Sequence, residues 1–174
     1  MDRPRTDHGH PALANLLGRW QGTTRLESGP WGAERTVEAE MTFTLVAGGS
    51  AVVQSYRHTE TDGSHFEGHG IFTVDPVRRD VLWYYVDSVS PAPDAPARCT
   101  WHDGDLQVER HAGAGSIRHT LRITDGVLFD IAEIRRDGSA GADLRNRSAA
   151  DGATAPYKPF MTSRYRRDPG AQQM

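Results

Sequence analysis

Residues Ser50–Ser88, SAVVQSYRHTETDGSHFEGHGIFTVDPVRRDVLWYYVDS, decide how the chain is read. Two strand-like runs, Ser50–Thr61 and His65–Asp75, flank Thr61-Asp62-Gly63-Ser64, and a third, Val81–Ser88, follows a turn at Pro76. Asp-Gly between alternating runs predicts a β-hairpin. With Asp62-Gly63 as a two-residue loop, Thr61 pairs with Ser64, Tyr56 lies opposite His69, and His58 lies opposite Glu67. Side chains alternate faces along a strand. One face then carries Gln54, Tyr56, His58, His65, Glu67 and His69. The other carries Ala51, Val53, Phe66, Gly68, Gly70, Phe72 and Val74.

Working outward, the same logic finds strands on both sides. Arg19–Leu26 and Arg35–Thr44 precede the hairpin, and Val37, Ala39, Met41 and Phe43 share a face of the second. Before them, Pro11–Leu17 has the length of about two helical turns, with Pro11 favourable in the first turn and Gly18 as the stop. After the hairpin, Pro91, Pro93 and Pro96 make a stiff loop that no central strand accommodates. Cys99–Trp101 and Leu106–Val108 flank Asp103-Gly104, and Ser116–Thr124 and Val127–Arg135 flank Asp125-Gly126, giving two further hairpins. Phe160–Arg166 reads as the last strand. Consecutive antiparallel strands with tight links form a meander, and a meander of 8–10 strands avoids exposed edges by closing into a barrel. The expected fold is therefore all-β: an antiparallel barrel with a short N-terminal helix, a β-sandwich being the other arrangement this periodicity allows. One barrel domain is expected over residues 11–167, with a loop or insertion at 136–156 and flexible ends at 1–10 and 168–174.

Composition narrows the class of function. A chain of 174 residues suits one core. The net charge of −3 supplies no field for nucleic acid or anionic membrane, and no run approaches the roughly 18 apolar residues of a membrane span. Cys99 is the single cysteine, which excludes an intrachain disulfide and suits a reducing compartment. The charged start, Met1–His8, has no apolar segment behind it, so a cytoplasmic protein is expected. Its partner is expected to be a small molecule rather than nucleic acid or membrane, and a homodimer is allowed.

Chemistry-bearing side chains concentrate near the hairpin. His65, Glu67 and His69 alternate on one strand face, with Tyr56 and His58 on the partner strand. Such a set can form a solvent face, a polar pocket wall or a divalent-metal site. As an acid–base group, His58 or His69 would carry the proton, with Glu67 or Asp87 orienting it or balancing charge. Trp83, Tyr85 and Asp87 share a face, where Asp87 either meets a ligand at a barrel mouth or caps the following turn. His119 falls on an apolar face between Ile117 and Leu121. Glu133 faces with Phe129 and Ile131, and as a buried carboxylate it would need a partner, for which Arg164 is the candidate. The candidate ligand contacts are thus Gln54, Tyr56, Trp83, Tyr85, His119, Arg122, Glu133 and Arg164. No catalytic triad elbow, P-loop or dinucleotide fingerprint is present.

Several local patterns resemble the DUF1579-type proteins, a bacterial family of uncharacterised domains. They are Leu17-Gly18-Arg19-Trp20-Gln21-Gly22, Gly48-Gly49, Phe66-Glu67-Gly68-His69-Gly70-Ile71 leading to Asp75, Tyr85-Val86-Asp87-Ser88, and Pro159-Phe160-Met161 with Arg164-Tyr165. The resemblance covers residues 13–135 and 157–167, and 136–156 looks like an insertion against it. It implies a barrel of the lipocalin and fatty-acid-binding shape and supplies no chemistry. The Gly-x-Trp-x-Gly opening is also similar to that of haem-binding nitrobindin-like barrels. Those carry a C-terminal histidine ligand, whereas this chain has no histidine after His119 and offers Met161 and Tyr165 on its last strand. No cofactor is therefore expected. The function expected is binding of a small, largely apolar metabolite, with Tyr56, His69, Tyr85 and Asp87 as polar anchors. The alternative is a small barrel enzyme of secondary metabolism, working by acid–base or substrate-shaping catalysis of a cyclisation, isomerisation or hydrolysis.

Overall fold

The computed structural model describes residues 11–75, 77–90, 95–111, 115–136 and 155–172. Ten antiparallel strands follow one another around a closed barrel. They are β1 (Gly18–Leu26), β2 (Arg35–Val46), β3 (Ala51–Thr59), β4 (His65–Val74), β5 (Val81–Asp87), β6 (Ala97–His102), β7 (Asp105–His111), β8 (Gly115–Thr124), β9 (Val127–Arg136) and β10 (Lys158–Arg167). Closure comes from β1 pairing with both β2 and β10. The sandwich alternative is thereby excluded. The expectations for residues 1–10, and for most of 136–156, lie outside the described residues, as do residues 173 and 174.

Gly22 explains part of the Gly-x-Trp-x-Gly opening. It pairs with Tyr165 across the closing seam, where a Cβ would lie 2.9 Å from both the Arg164 carbonyl carbon and the Tyr165 Cα, and closer still to the carbonyl oxygen. Only glycine lets the two backbones approach this far. Beside it, the buried hydroxyls of Thr24 and Ser163 are 2.8 Å apart across the same seam.

The two ends of the barrel differ, and the connections say why. The turns β2–β3, β4–β5, β6–β7 and β8–β9 lie at one end and are short. Asp103-Gly104 and Asp125-Gly126 both take positive φ at each residue, as two-residue turns of type I′ require. A helical turn, α1 (Pro11–Ala14), stoppers this end, burying Leu13 and Leu16. The helix is one turn rather than two because the next carbonyls have other partners. Trp20 Nε1 donates to the Leu16 carbonyl at 2.7 Å, and the Arg167 guanidinium donates to the carbonyls of Asn15 and Leu17 while lying 4.2 Å over the Trp20 ring. Trp20, Met41, Phe72 and Leu128 fill the interior above the stopper. The longer connections β1–β2, β5–β6 and β9–β10 all leave from the other end.

The central hairpin is offset by one residue from the expected register. Tyr56 pairs with Gly68 rather than His69, and His58 with Phe66 rather than Glu67. The loop has three residues, not two. Glu60 N donates to Ser64 O at 2.9 Å, Gly63 N donates to Glu60 O at 3.0 Å, and only Gly63 takes positive φ. This is the three-residue hairpin loop closed by a left-handed glycine. A one-residue offset moves one strand's side chains to the opposite face relative to its partner. Val52, Gln54, Tyr56 and His58 are inside with Phe66 and Phe72, and His65, Glu67 and His69 are outside.

Candidate functional site

Between the filled core and the long-loop end lies a cavity of about 320 Å³. Leu26, Phe66, Ile117, Phe160 and Met161 give it apolar walls, and His58, Tyr85, Asp87, Arg110 and His119 give it polar ones. Trp31 and Phe160 pack at 5.2 Å between ring centroids at the rim.

One wall is a hydrogen-bonded chain running from the rim into the barrel. Arg35, at the start of β2, grips Glu60 with two bonds of 2.6 and 2.7 Å. Glu60 lies 3.2 Å from His58 Nε2, and His58 Nδ1 lies 2.8 Å from the Tyr56 hydroxyl. Tyr56 reaches Thr24 Oγ1 at 3.1 Å, which leads to Ser163. A carboxylate only accepts, so neutral His58 donates through Nε2 to Glu60 and turns Nδ1 to the Tyr56 hydroxyl. Burial lowers the His58 pKa from its usual 6.5, against the opposing pull of Glu60. The Arg35 hydrogen bonds hold Glu60 below the usual carboxylate range. His58 also stacks on Phe66 at 5.2 Å and 9°, which fixes its ring plane.

The opposite wall is built on β5, β7, β8 and β9. Asp87 Oδ1 accepts from the amides of Val89 and Ser90 at 3.0 and 2.6 Å, and Oδ2 lies 3.4 Å from Arg110. Asp87 therefore both caps the turn and lines the cavity. The Arg110 side chain is 9% exposed, and its guanidinium lies 5.2 Å over the Tyr85 ring. Below it, Asp130 is buried with an oxygen 3.4 Å from His119 Nδ1. Among the described residues, neither Arg110 Nε nor His119 Nε2 has a hydrogen-bond partner. Burial, reinforced by the nearby Asp130 carboxylate, pushes the hydroxyls of Tyr56, Tyr85 and Tyr165 up, so all three stay protonated.

Of the sequence-derived candidates, His58, Tyr85, Asp87 and His119 meet at this cavity. Tyr56 stands behind His58. Gln54 and Trp83 sit deeper in the core, bonded to each other at 3.0 Å. Gly68 and Gly70 make room for this packing. A Cβ at Gly68 would strike Tyr85, and one at Gly70 would strike Trp83 and come within 2.8 Å of Gln54.

The remaining candidates occupy the outer surface. His69 bonds Ser55 at 3.1 Å, and Glu67 pairs with Arg57 at 3.5 Å. Arg122 is held by Asp105. Glu133 pairs with Arg118 at 2.8 Å rather than with Arg164, whose guanidinium lies 6.0 Å over the Phe129 ring. The buried carboxylate of β9 is Asp130, not Glu133. Among the described residues, no three His, Cys, Asp or Glu side chains gather as a metal site requires.

Arg35, Glu60, Arg110 and Asp130 escape the sequence reading. The first three sit at strand ends, where alternation carries little information. Asp130 carried a readable signal: the two-residue turn Asp125-Gly126 pairs His119 with Ala132, so an inward His119 requires inward Ala132 and Asp130.

Fold and site define a closed ten-stranded antiparallel barrel, stoppered at one end and holding a polar-and-apolar cavity near the other. The family model described as "Protein of unknown function (DUF1579)" matches residues 5–93, and the chain belongs to the DUF1579 family. The structure is similar to one titled "Crystal Structure of Rv2717c from M. tuberculosis", with a TM-score of 0.62 and 16% sequence identity, over 92% of this chain and 99% of that one. That likeness concerns the fold alone. No curated protein matches the chain. No helix among the described residues is long and apolar enough to cross a membrane.

Proposed function

We propose that the protein binds a small, largely apolar molecule in the cavity near the long-loop end of the barrel. The observation carrying this reading is the uneven filling of the interior. Bulky side chains close one half, and the other half keeps about 320 Å³ between apolar walls and a few fixed polar groups. That volume is at the small end of the ~300–1,000 Å³ range of small-molecule sites, and the mixture of linings is the usual one. Tyr85 and Asp87 serve as anchors, joined by His58, Arg110 and His119. Native mass spectrometry of the protein purified from its own cells tests the reading. A co-purifying organic mass supports it, whereas bare protein that also takes up no added apolar compound contradicts it.

The Asp130–His119 pair favours a second reading, in which the same cavity performs proton transfer. A carboxylate behind an imidazole is the arrangement of an oriented acid–base group. Once a bound compound is known, His119→Gln distinguishes the two. Retained affinity with lost turnover supports catalysis, and unchanged conversion rules it out.

A further inference from the structure

The cavity wall has a charge pattern that narrows what it can hold. Arg35 is matched by Glu60, Arg110 by Asp87 and Glu27 by Arg25. Asp130 lies against the His119 imidazole. Among the described residues, the wall therefore has no surplus cation for a ligand anion. Nor are the Glu60 and Asp87 carboxylates free for a ligand ammonium. Both Glu60 oxygens are bonded to Arg35, and both Asp87 oxygens have donors. A charged ligand would enter a half-buried site with its charge uncompensated, which is costly.

What Arg110 lacks is an acceptor. A guanidinium has five N–H donors in a fixed fork. Among the described residues, Arg110 has one carboxylate contact, at 3.4 Å, and nothing at Nε, although its side chain is nine-tenths buried. Buried donors are normally paired, and the guanidinium that carries this one lines the cavity, so its unused donors are a place for a ligand atom. Phe66, Tyr85, Ile117 and Phe160 give the same cavity its apolar and aromatic surface.

Resting on the binding function proposed above, we infer that the ligand is a neutral molecule with an apolar, ring-sized body and a carbonyl-type oxygen that accepts from Arg110. Charged analogues of the same shape are excluded.

Four naphthalenes of nearly one shape test this at neutral pH: 2-acetylnaphthalene, 2-isopropylnaphthalene, 2-naphthoate and the ammonium form of 1-(2-naphthyl)ethylamine. Affinities are measured by calorimetry or saturation-transfer NMR. A hydrogen bond to a charged donor corresponds to roughly tenfold or more in affinity. The ketone should therefore bind about tenfold tighter than the hydrocarbon, and tighter than either ion. The double substitution Asp87→Asn with Arg110→Met removes the donor without stranding a charge. Within that variant the ketone should bind no tighter than the hydrocarbon. Should that variant not fold, Arg110→Lys keeps the pairing with Asp87 but has no Nε donor, and it too should shrink the advantage. The inference is overturned if the hydrocarbon matches the ketone, if either ion binds tightest, or if the ketone keeps its lead in the variants. In those cases a cavity that binds apolar compounds still stands. Binding of none of the four overturns the cavity function as well.

Discussion

Replacing Gly22 with alanine tests the closing seam directly. The new Cβ would lie 2.9 Å from the Arg164 carbonyl carbon and from the Tyr165 Cα, where carbon atoms ordinarily rest about 3.5–4.0 Å apart. The obstacle is backbone, so no rotamer relieves it, and β1 and β10 must separate by roughly 0.6–1 Å. Ladder bonds near 2.9 Å then stretch beyond useful length. Losing two or three of them, at about 1 kcal/mol each, costs ~2–3 kcal/mol. The narrower unfolded ensemble of alanine returns about 0.4–1 kcal/mol. The expected net loss is ~2 kcal/mol, or a fall in Tm of about 4–8 °C for a chain of this size. Thermal and urea unfolding measure the loss, and hydrogen exchange should show it concentrated in the amides of β1 and β10. A Gly22→Ala variant within ~0.5 kcal/mol of the parent, the scatter of ordinary surface changes, would refute the close approach.

Other outcomes follow from the same geometry. Gly68→Ala places a Cβ 2.5 Å from Tyr85 Cζ, so the ring must shift; unfolding midpoints should fall by the ~1–3 kcal/mol of overpacking, with Tyr85→Phe partly restoring them. His58 is held below its usual pKa of 6.5, so the unfolded chain binds its proton first. Stability should thus decline as pH falls below about 6.5, and titrating unfolding midpoints with His58→Gln should show a flatter profile. Glu60, also depressed, adds a further loss as pH falls through its lowered value. Cys99 is buried and its thiol is pushed up to about 12, so a thiol reagent at neutral pH should label only unfolded protein; rapid labelling of native protein would contradict its placement.

All ten strands were legible in the sequence because short runs rich in β-branched and aromatic residues are separated by glycine, proline or aspartate. The register of the central hairpin was not, because Asp-Gly serves two loop types. At Asp103-Gly104 and Asp125-Gly126 both residues take positive φ, whereas at Asp62-Gly63 only the glycine does. Neither face of Ala51–Thr59 is wholly apolar, so hydrophobicity did not correct the choice. Hence His58 was found for the cavity while His69 and Glu67, grouped with it, lie outside. On β9, Phe129 and Ile131 are more apolar than Asp130 and Ala132, yet Asp130 and Ala132 face inward. Packing against His119 outweighed local alternation there, and that partner becomes visible only once β8 and β9 are registered together.

The most direct test of the central claim is a titration with a neutral, polarity-sensitive ketone dye, 6-acetyl-2-(dimethylamino)naphthalene, against the parent and Ile117→Trp. Ile117 lines the cavity, and the larger indole would take up part of it. The parent should shift the dye emission to the blue and saturate at one equivalent, and the narrowed variant should bind the dye more weakly. Equal uptake by both proteins, or no uptake by the parent, would contradict a binding cavity within the barrel.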